Sequence, residues 1–93
     1  MIYATLHMTI TNPEALAKYR ESAQAALEKH GGSLLCASPK LTRLEGDDPL
    51  PSMAGVLSFP DRNAALGWIN DPTLADVHAL RQASGKTDIV LVG

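Results

Sequence analysis

Apolar and polar side chains alternate from the start of the chain. Ile2, Ala4, Leu6, Met8 and Ile10 fall on one side, and Tyr3, Thr5, His7 and Thr9 on the other. That period of two predicts a strand over 2–10 with one core face. Its second face is polar but uncharged, which suits a shielded surface better than open water. The period then lengthens. Leu16, Tyr19, Ala23, Ala26, Leu27 and His30 recur at helical spacing, with Lys18, Arg20, Glu21, Gln24 and Glu28 mostly on other faces. Asn12 is a good N-cap, Pro13 suits the first helical position and Glu14 complements the helix dipole. His30-Gly31-Gly32 closes this helix, Gly31 supplying the left-handed residue.

Strand patterns resume after the glycines. Ser33–Ala37 reads as a second strand, and Lys40–Glu45 as its extended continuation past Ser38-Pro39, where the proline predicts a bulge or an edge position. Residues 46–52 have loop chemistry. Met53–Phe59 is a third strand, apolar on both faces. Asp61 is an N-cap for a short helix over 62–70 containing Leu66, Trp68 and Ile69. Asp71-Pro72 repeats the cap-and-proline start, and a helical segment over 73–84 carries Leu74, Val77 and Arg81 on one stripe. Gly85 ends it, and Thr87–Val92 is a last strand, again apolar on both faces.

The order strand, helix, strand, strand, helix, strand predicts an α+β, ferredoxin-like fold: a four-stranded antiparallel sheet with its helices on one face. Helices on one side leave the other sheet face open, yet the third and fourth strands are apolar there too. An open antiparallel face should alternate with polar residues. The pattern therefore predicts a homodimer packed sheet to sheet, closing as a dimeric α+β barrel.

Ninety-three residues make one domain over 1–93. The net charge of −2, the absence of a basic cluster and the few aromatic residues argue against nucleic acid as a partner. No apolar run approaches the roughly 20 residues that span a bilayer, so no membrane association is expected. The first residues lack the basic start of a signal peptide, and the expected compartment is the cytoplasm. Cys36 is alone, which excludes an internal disulfide, and is read as a buried, inert thiol.

Several of these features together resemble one family. They are His30-Gly31-Gly32, Leu44-Glu45-Gly46-Asp47, Phe59-Pro60 before a short helix with Trp68, the Arg81 helix, and the closing Leu91-Val92-Gly93. In that order they resemble the domain-of-unknown-function 1330 family of the dimeric α+β barrel superfamily, over nearly the whole chain. The resemblance implies a ferredoxin-like protomer and a sheet-to-sheet dimer, and supplies no activity. Superfamily relatives include cofactor-independent monooxygenases, muconolactone isomerases and haem-binding chlorite dismutases, and fold alone does not choose among them. Family members often carry an aromatic residue where Leu16 stands, a glycine pair near Ser38-Pro39, and a serine and a tyrosine around residues 70–74. This chain's pocket should be plainer and more apolar.

Arg81 is the first candidate for chemistry. A guanidinium on an apolar stripe calls for an anion, either a ligand carboxylate or an internal partner, for which Glu45 and Asp88 are the candidates. Tyr19 and Trp68 are candidate pocket walls. His30, on the buried stripe of its helix, and Glu45, at a strand end, are the candidate proton-moving residues, each with a plainer alternative: helix-end interactions for His30, pairing with Arg81 for Glu45. His7, with Tyr3 and Thr5, would line the dimer interface, and His78, one residue off the stripe, reads as a surface residue. His7, His30 and His78 share no ligating spacing, so no metal is expected. No cofactor is expected; haem would need a ligand histidine in the helix–sheet cleft, for which His30 is the one candidate. Three functions fit: binding of a small polar or carboxylate-bearing metabolite in the helix–sheet cleft; a cofactor-independent monooxygenase or isomerase acting on a small cyclic substrate through His30 or Glu45; or an assembly module without a ligand.

Overall fold

The computed structural model describes all residues, 1–93. Four strands, β1 (Ile2–Ile10), β2 (Ser33–Ser38), β3 (Met53–Phe59) and β4 (Gly85–Val92), form one antiparallel sheet in the order β2-β3-β1-β4. Helix α1 (Pro13–Glu28) joins β1 to β2. Between β3 and β4 run α2 (Arg62–Asn70), a single 3-10 turn (Pro72–Leu74) and α3 (Ala75–Ala83). This is the ferredoxin-like arrangement predicted from the periodicity.

Helix starts follow the capping chemistry. Asn12 Oδ1 accepts from the Ala15 N–H at 3.2 Å and Asp61 Oδ1 from the Ala64 N–H at 2.8 Å. At the end of α1, the Gly31 N–H donates to the Glu28 carbonyl and the Gly32 N–H to the Leu27 carbonyl, with Gly31 at φ +73°. Those two bonds satisfy carbonyls that would otherwise be orphaned, and the left-handed residue turns the chain back into the sheet.

Alternation along the strands sorts the two faces. Ala4, Leu6 and Met8 of β1, with Leu57 and Phe59 of β3, are buried under the helices, where Ala26, Leu27, Ala65, Trp68 and Leu74 meet them. The opposite face carries Tyr3, Thr5 and His7, paired across to Val92, Val90 and Asp88 of β4. In the protomer this face is open: Val90 is 58% and Val92 61% exposed.

Two sequence-based expectations are corrected. Residues 40–45 do not extend β2. The seven residues of β3 find their partners in the six of β2, the last pair being Ser38 with Ala54, so no partner remains for Lys40 onward. That segment is part of an exposed loop, in which the Arg43 guanidinium donates to the carbonyls of Glu45 and Asp48. β2 is an edge strand, and its irregularity lies at Leu35, between Leu34 and Cys36, rather than at Pro39. Cys36 pairs with Val56, which faces away from the helices with Thr5, and is exposed, not buried, because nothing in the protomer covers that sheet face.

β4 begins at Gly85, two residues earlier than the apolar run, because Gly85 pairs with Ile10. Its φ is +151°, and a Cβ there would lie 2.0 Å from the Thr9 carbonyl oxygen. Gly85→Ala is expected to lower the unfolding free energy by more than about 2 kcal/mol, since neither backbone can yield cheaply. Urea denaturation measures it, and a loss below about 0.5 kcal/mol would mean that the β1–β4 pairing relaxes.

Candidate functional site

The site is built where α3 meets α1 and α2. Counting from Leu74, residues 78 and 81 follow at four and seven, so both return to the covered side of the helix. Arg81 is 2% exposed and His78 5%. The Arg81 guanidinium carbon lies 5.2 Å from the centroid of the Trp68 ring on α2 and 5.7 Å from that of Tyr19 on α1. Both distances are within cation–π range. Arg81 Nη1–H donates to His78 Nδ1 at 2.8 Å. The other ring nitrogen, Nε2–H, donates to the Trp68 carbonyl at 2.9 Å, and the two rings meet edge to face with centroids 4.8 Å apart. This network assigns His78 as the neutral Nε2–H tautomer, because an imidazolium cannot accept from a guanidinium. Burial pushes the His78 imidazolium below its ordinary range and the neighbouring Arg81 charge adds to that, against the opposing bond to the Trp68 carbonyl.

Arg81 has no carboxylate partner. Both ion pairs of the chain end on Asp71, and neither involves Arg81. Its Nε–H and the Trp68 indole N–H are buried donors with no acceptor in the chain. A buried guanidinium held by two rings and one neutral acceptor is a charge without its counter-charge.

The structure brings Tyr19, Trp68 and Arg81 together, and does not bring His30 or Glu45 to them. His30 Nε2–H donates to Asp71 Oδ2 at 2.8 Å, beside Lys29 Nζ at 2.9 Å. Thr73 donates to Asp71 Oδ1 from its hydroxyl at 2.7 Å and its backbone N–H at 2.8 Å. Lys29, then His30 and Thr73, hold the Asp71 carboxyl well below the usual carboxylate range. Glu45 stands on the exposed loop, and Asp88 on the outer sheet face opposite His7, so neither pairs with Arg81. His78 is the residue the sequence reading missed: it is buried, not at the surface. At about 100° per residue it lies about 60° around α3 from Arg81, still within a buried arc. The signal was its place four after Leu74 and three before Arg81.

Two clefts flank the Tyr19–Arg81–Trp68 stack. The larger, about 490 Å³, runs beneath α1 and is walled mainly by Leu6, Met8, Leu16, Tyr19, Leu27 and Leu57. Its polar lining is Arg20, Gln24, Glu28 and Ser33, all exposed. The smaller, about 360 Å³, lies between the α2–α3 segment and β1–β4, bordered by Trp68, Arg81, Gln82, Thr87, Ile89 and Leu91 among others. Only the smaller one has the unpaired buried charge at its wall. No group of three or more His, Cys, Asp or Glu side chains is placed to hold a metal ion, and no helix is long and apolar enough to cross a membrane.

A helix-covered antiparallel sheet with a ligand-sized cleft and a buried cation at its wall defines a ferredoxin-like α+β protein. Solved structures share that fold. The RPA0582 protein of unknown function from Rhodopseudomonas palustris superposes with a TM-score of 0.78 at 19% identity, over 98% of this chain and 79% of that one. A dimeric ferredoxin-like protein of unknown function from Jannaschia sp. CCS1 gives 0.69 at 14%, over 99% and 97%. An antibiotic biosynthesis monooxygenase gives 0.57 at 16%, over 100% and 97%. By sequence, the chain belongs to the DUF1330 family, the domain of unknown function 1330, whose model matches residues 1–93. No curated protein matches it.

The two perturbed groups set the acid response. His78 is held neutral when folded, so its contribution to stability is full above the ordinary value of 6.5 and is lost as pH falls through 6.5 toward the depressed folded value, the unfolded chain taking the proton first. The Asp71 contribution is full above 3.8 and is lost as pH falls below it. Urea unfolding at stepped pH should therefore decline in two stages, His78→Asn removing the upper and Asp71→Asn the lower. A flat profile around 6.5 would show that His78 is not held neutral.

Proposed function

We propose that this chain is a small homodimeric binding protein that holds a small carboxylate-bearing metabolite in the helix–sheet cleft bordered by Arg81, with Trp68 and Tyr19 flanking the guanidinium. One observation carries the reading: Arg81 is buried, borders a cleft of ligand size and has no anion within the chain. Catalysis is not part of it. A monooxygenase or isomerase would need a proton-moving group beside the ligand, whereas His30 borders neither cleft and Glu45 is on the exposed loop. The monooxygenase likeness, at 16% identity, speaks for fold alone. Cytoplasmic residence suits the exposed Cys36 thiol, which stays reduced there.

A thermal-shift screen of small organic acids near neutral pH tests the binding. A true ligand at about 100 times its Kd stabilises by about 2.7 kcal/mol, and a domain of this size gains about 4–8 °C in Tm per kcal/mol. Arg81→Gln is expected to abolish the shift and Arg81→Lys to weaken it, since lysine cannot make the bidentate contact. No shift from any acid would make Arg81 a packing element between two rings and would sink the proposal.

The homodimer rests on the open sheet face, where Tyr3, Leu35, Val90 and Val92 are between 45% and 61% exposed, and on the dimeric state of the Jannaschia protein of the same fold. Light scattering should give twice the 9.9 kDa protomer mass, and Val90→Glu should return it to the protomer. A wild-type mass of one protomer at micromolar concentration overturns the dimer.

A further inference from the structure

Resting on the ligand-binding reading above, we infer that the Arg81 cleft selects a singly charged carboxylate with an apolar body, and that His78 is the positioning residue that holds Arg81 while leaving its charge free. Charge at the walls argues first. Eight of the eleven residues bordering the cleft are hydrophobic, and the three polar ones are Arg81, Gln82 and Thr87. Arg81 is therefore the only cation bordering the cleft, and no acidic residue borders it. One carboxylate meets one guanidinium. A phosphate or a dicarboxylate would bring a second negative charge against an apolar wall with nothing to balance it, and an amine would meet Arg81 itself. Gln82 and Thr87 offer neutral donors and acceptors, so a hydroxyl or keto group on the ligand is tolerated. The volume, about 360 Å³, is at the lower end of the range for ligand pockets and limits the body to a single ring or a short branched chain.

His78 fits this selection because it is an acceptor without charge. Its Nδ1 takes the Nη1–H of Arg81 at 2.8 Å, and its Nε2–H is spent on the Trp68 carbonyl at 2.9 Å, so both ring nitrogens are committed and the tautomer is fixed. A carboxylate in that place would hold the guanidinium equally well and neutralise it. The imidazole orients the cation and leaves it unbalanced. His78 borders neither cleft, so it acts through Arg81.

Benzoate, phenylacetate and 3-methylbutanoate, each against its primary amide, with phthalate and phenyl phosphate as dianions, are the probes for titration calorimetry on the wild-type protein. At least one acid is expected to bind ten-fold or more tighter than its amide, and each dianion ten-fold or more weaker than the best acid. His78→Asn keeps a neutral acceptor near the Nδ1 position and is expected to retain most of that affinity. His78→Asp places a carboxylate there and is expected to abolish acid binding while the folded state persists in urea titration. A dianion binding more tightly than every monoacid overturns the selectivity and leaves the anion-binding reading standing. An amide binding as tightly as its acid overturns the selectivity too. Unchanged affinity in His78→Asp overturns the role of His78. Absence of binding by every anion, with wild-type behaviour in Arg81→Gln, removes both this inference and the reading it rests on. If neither His78 variant folds, the comparison among acids, amides and dianions on the wild type decides the selectivity, and nitrogen NMR of the wild-type imidazole near neutral pH decides His78: the ring is expected to carry its proton on Nε2 and none on Nδ1, with and without the acid, and a proton on Nδ1 overturns its role.

Discussion

A guanidinium buried to 2% exposure without a counter-ion is the constraint that most of the helical layer answers. An isolated charge moved out of water loses several kcal/mol even after the protein relaxes around it. The chain meets that loss with dispersed, neutral means: two aromatic faces, at 5.2 and 5.7 Å, and one imidazole nitrogen. The three contributors come from three helices. Tyr19 belongs to α1, Trp68 to α2 and His78 to α3, so the stack is also what joins the helices to one another above the sheet. Ser84 Oγ–H donates to the Arg81 carbonyl at 2.5 Å, and the Ser84 carbonyl accepts the N–H groups of Thr11 and Asn12. The same turn of α3 that carries the cation is thereby tied to the start of α1.

Asp71 does the corresponding work at the opposite end. It accepts from Thr73 at the start of the 3-10 turn and from Lys29 and His30 at the end of α1. A carboxylate with four donors around it is held far into its ionised form, so Asp71 remains a charged acceptor well below neutral pH. α1 and α3 are thus pinned to each other at both ends, by Ser84 at one and Asp71 at the other. Tyr19 lies between the two pins, and its distance from Arg81 is set by them. The histidine that the sequence marks for proton chemistry, His30, is one of the pins. Its partner lies 41 residues away, beyond two strands and a helix.

Local periodicity reaches most of the fold because capping and alternation are local. Asn12-Pro13, Asp61 and Asp71-Pro72 announce helix starts, Gly31 and Gly85 announce ends, and the period of two in β1 is unbroken over nine residues. Where the reading failed, the deciding partner was distant. Residues 40–45 have extended chemistry but no strand left to pair with, which depends on the length of β3. Cys36 is apolar enough to bury, but the shift in register after Leu34 sets it opposite Val56 on the open sheet face. Arg81, Trp68 and Tyr19 were legible because each lies on an apolar stripe. His78 was not, because Leu74, Val77 and Arg81 mark a narrow line along the helix, whereas the buried surface of α3 is an arc wide enough to include position 78.

The choice between a structural and a ligand-binding arginine turns on what the chain places beside it. Buried arginines whose task is structural are generally neutralised, because leaving the charge unbalanced gains nothing for the fold. Acidic side chains are available nearby in sequence: Asp76 opens α3 and Asp88 follows in β4, yet both are exposed and directed elsewhere. The position that reaches the guanidinium carries a histidine instead, locked by the Trp68 carbonyl into the tautomer that can only accept. A neutral acceptor fixes direction without cancelling charge. That combination makes sense if the remaining half of the ion pair arrives from outside the chain, and the cleft that Arg81 borders, apolar except for Gln82 and Thr87 beside it, is where it would arrive.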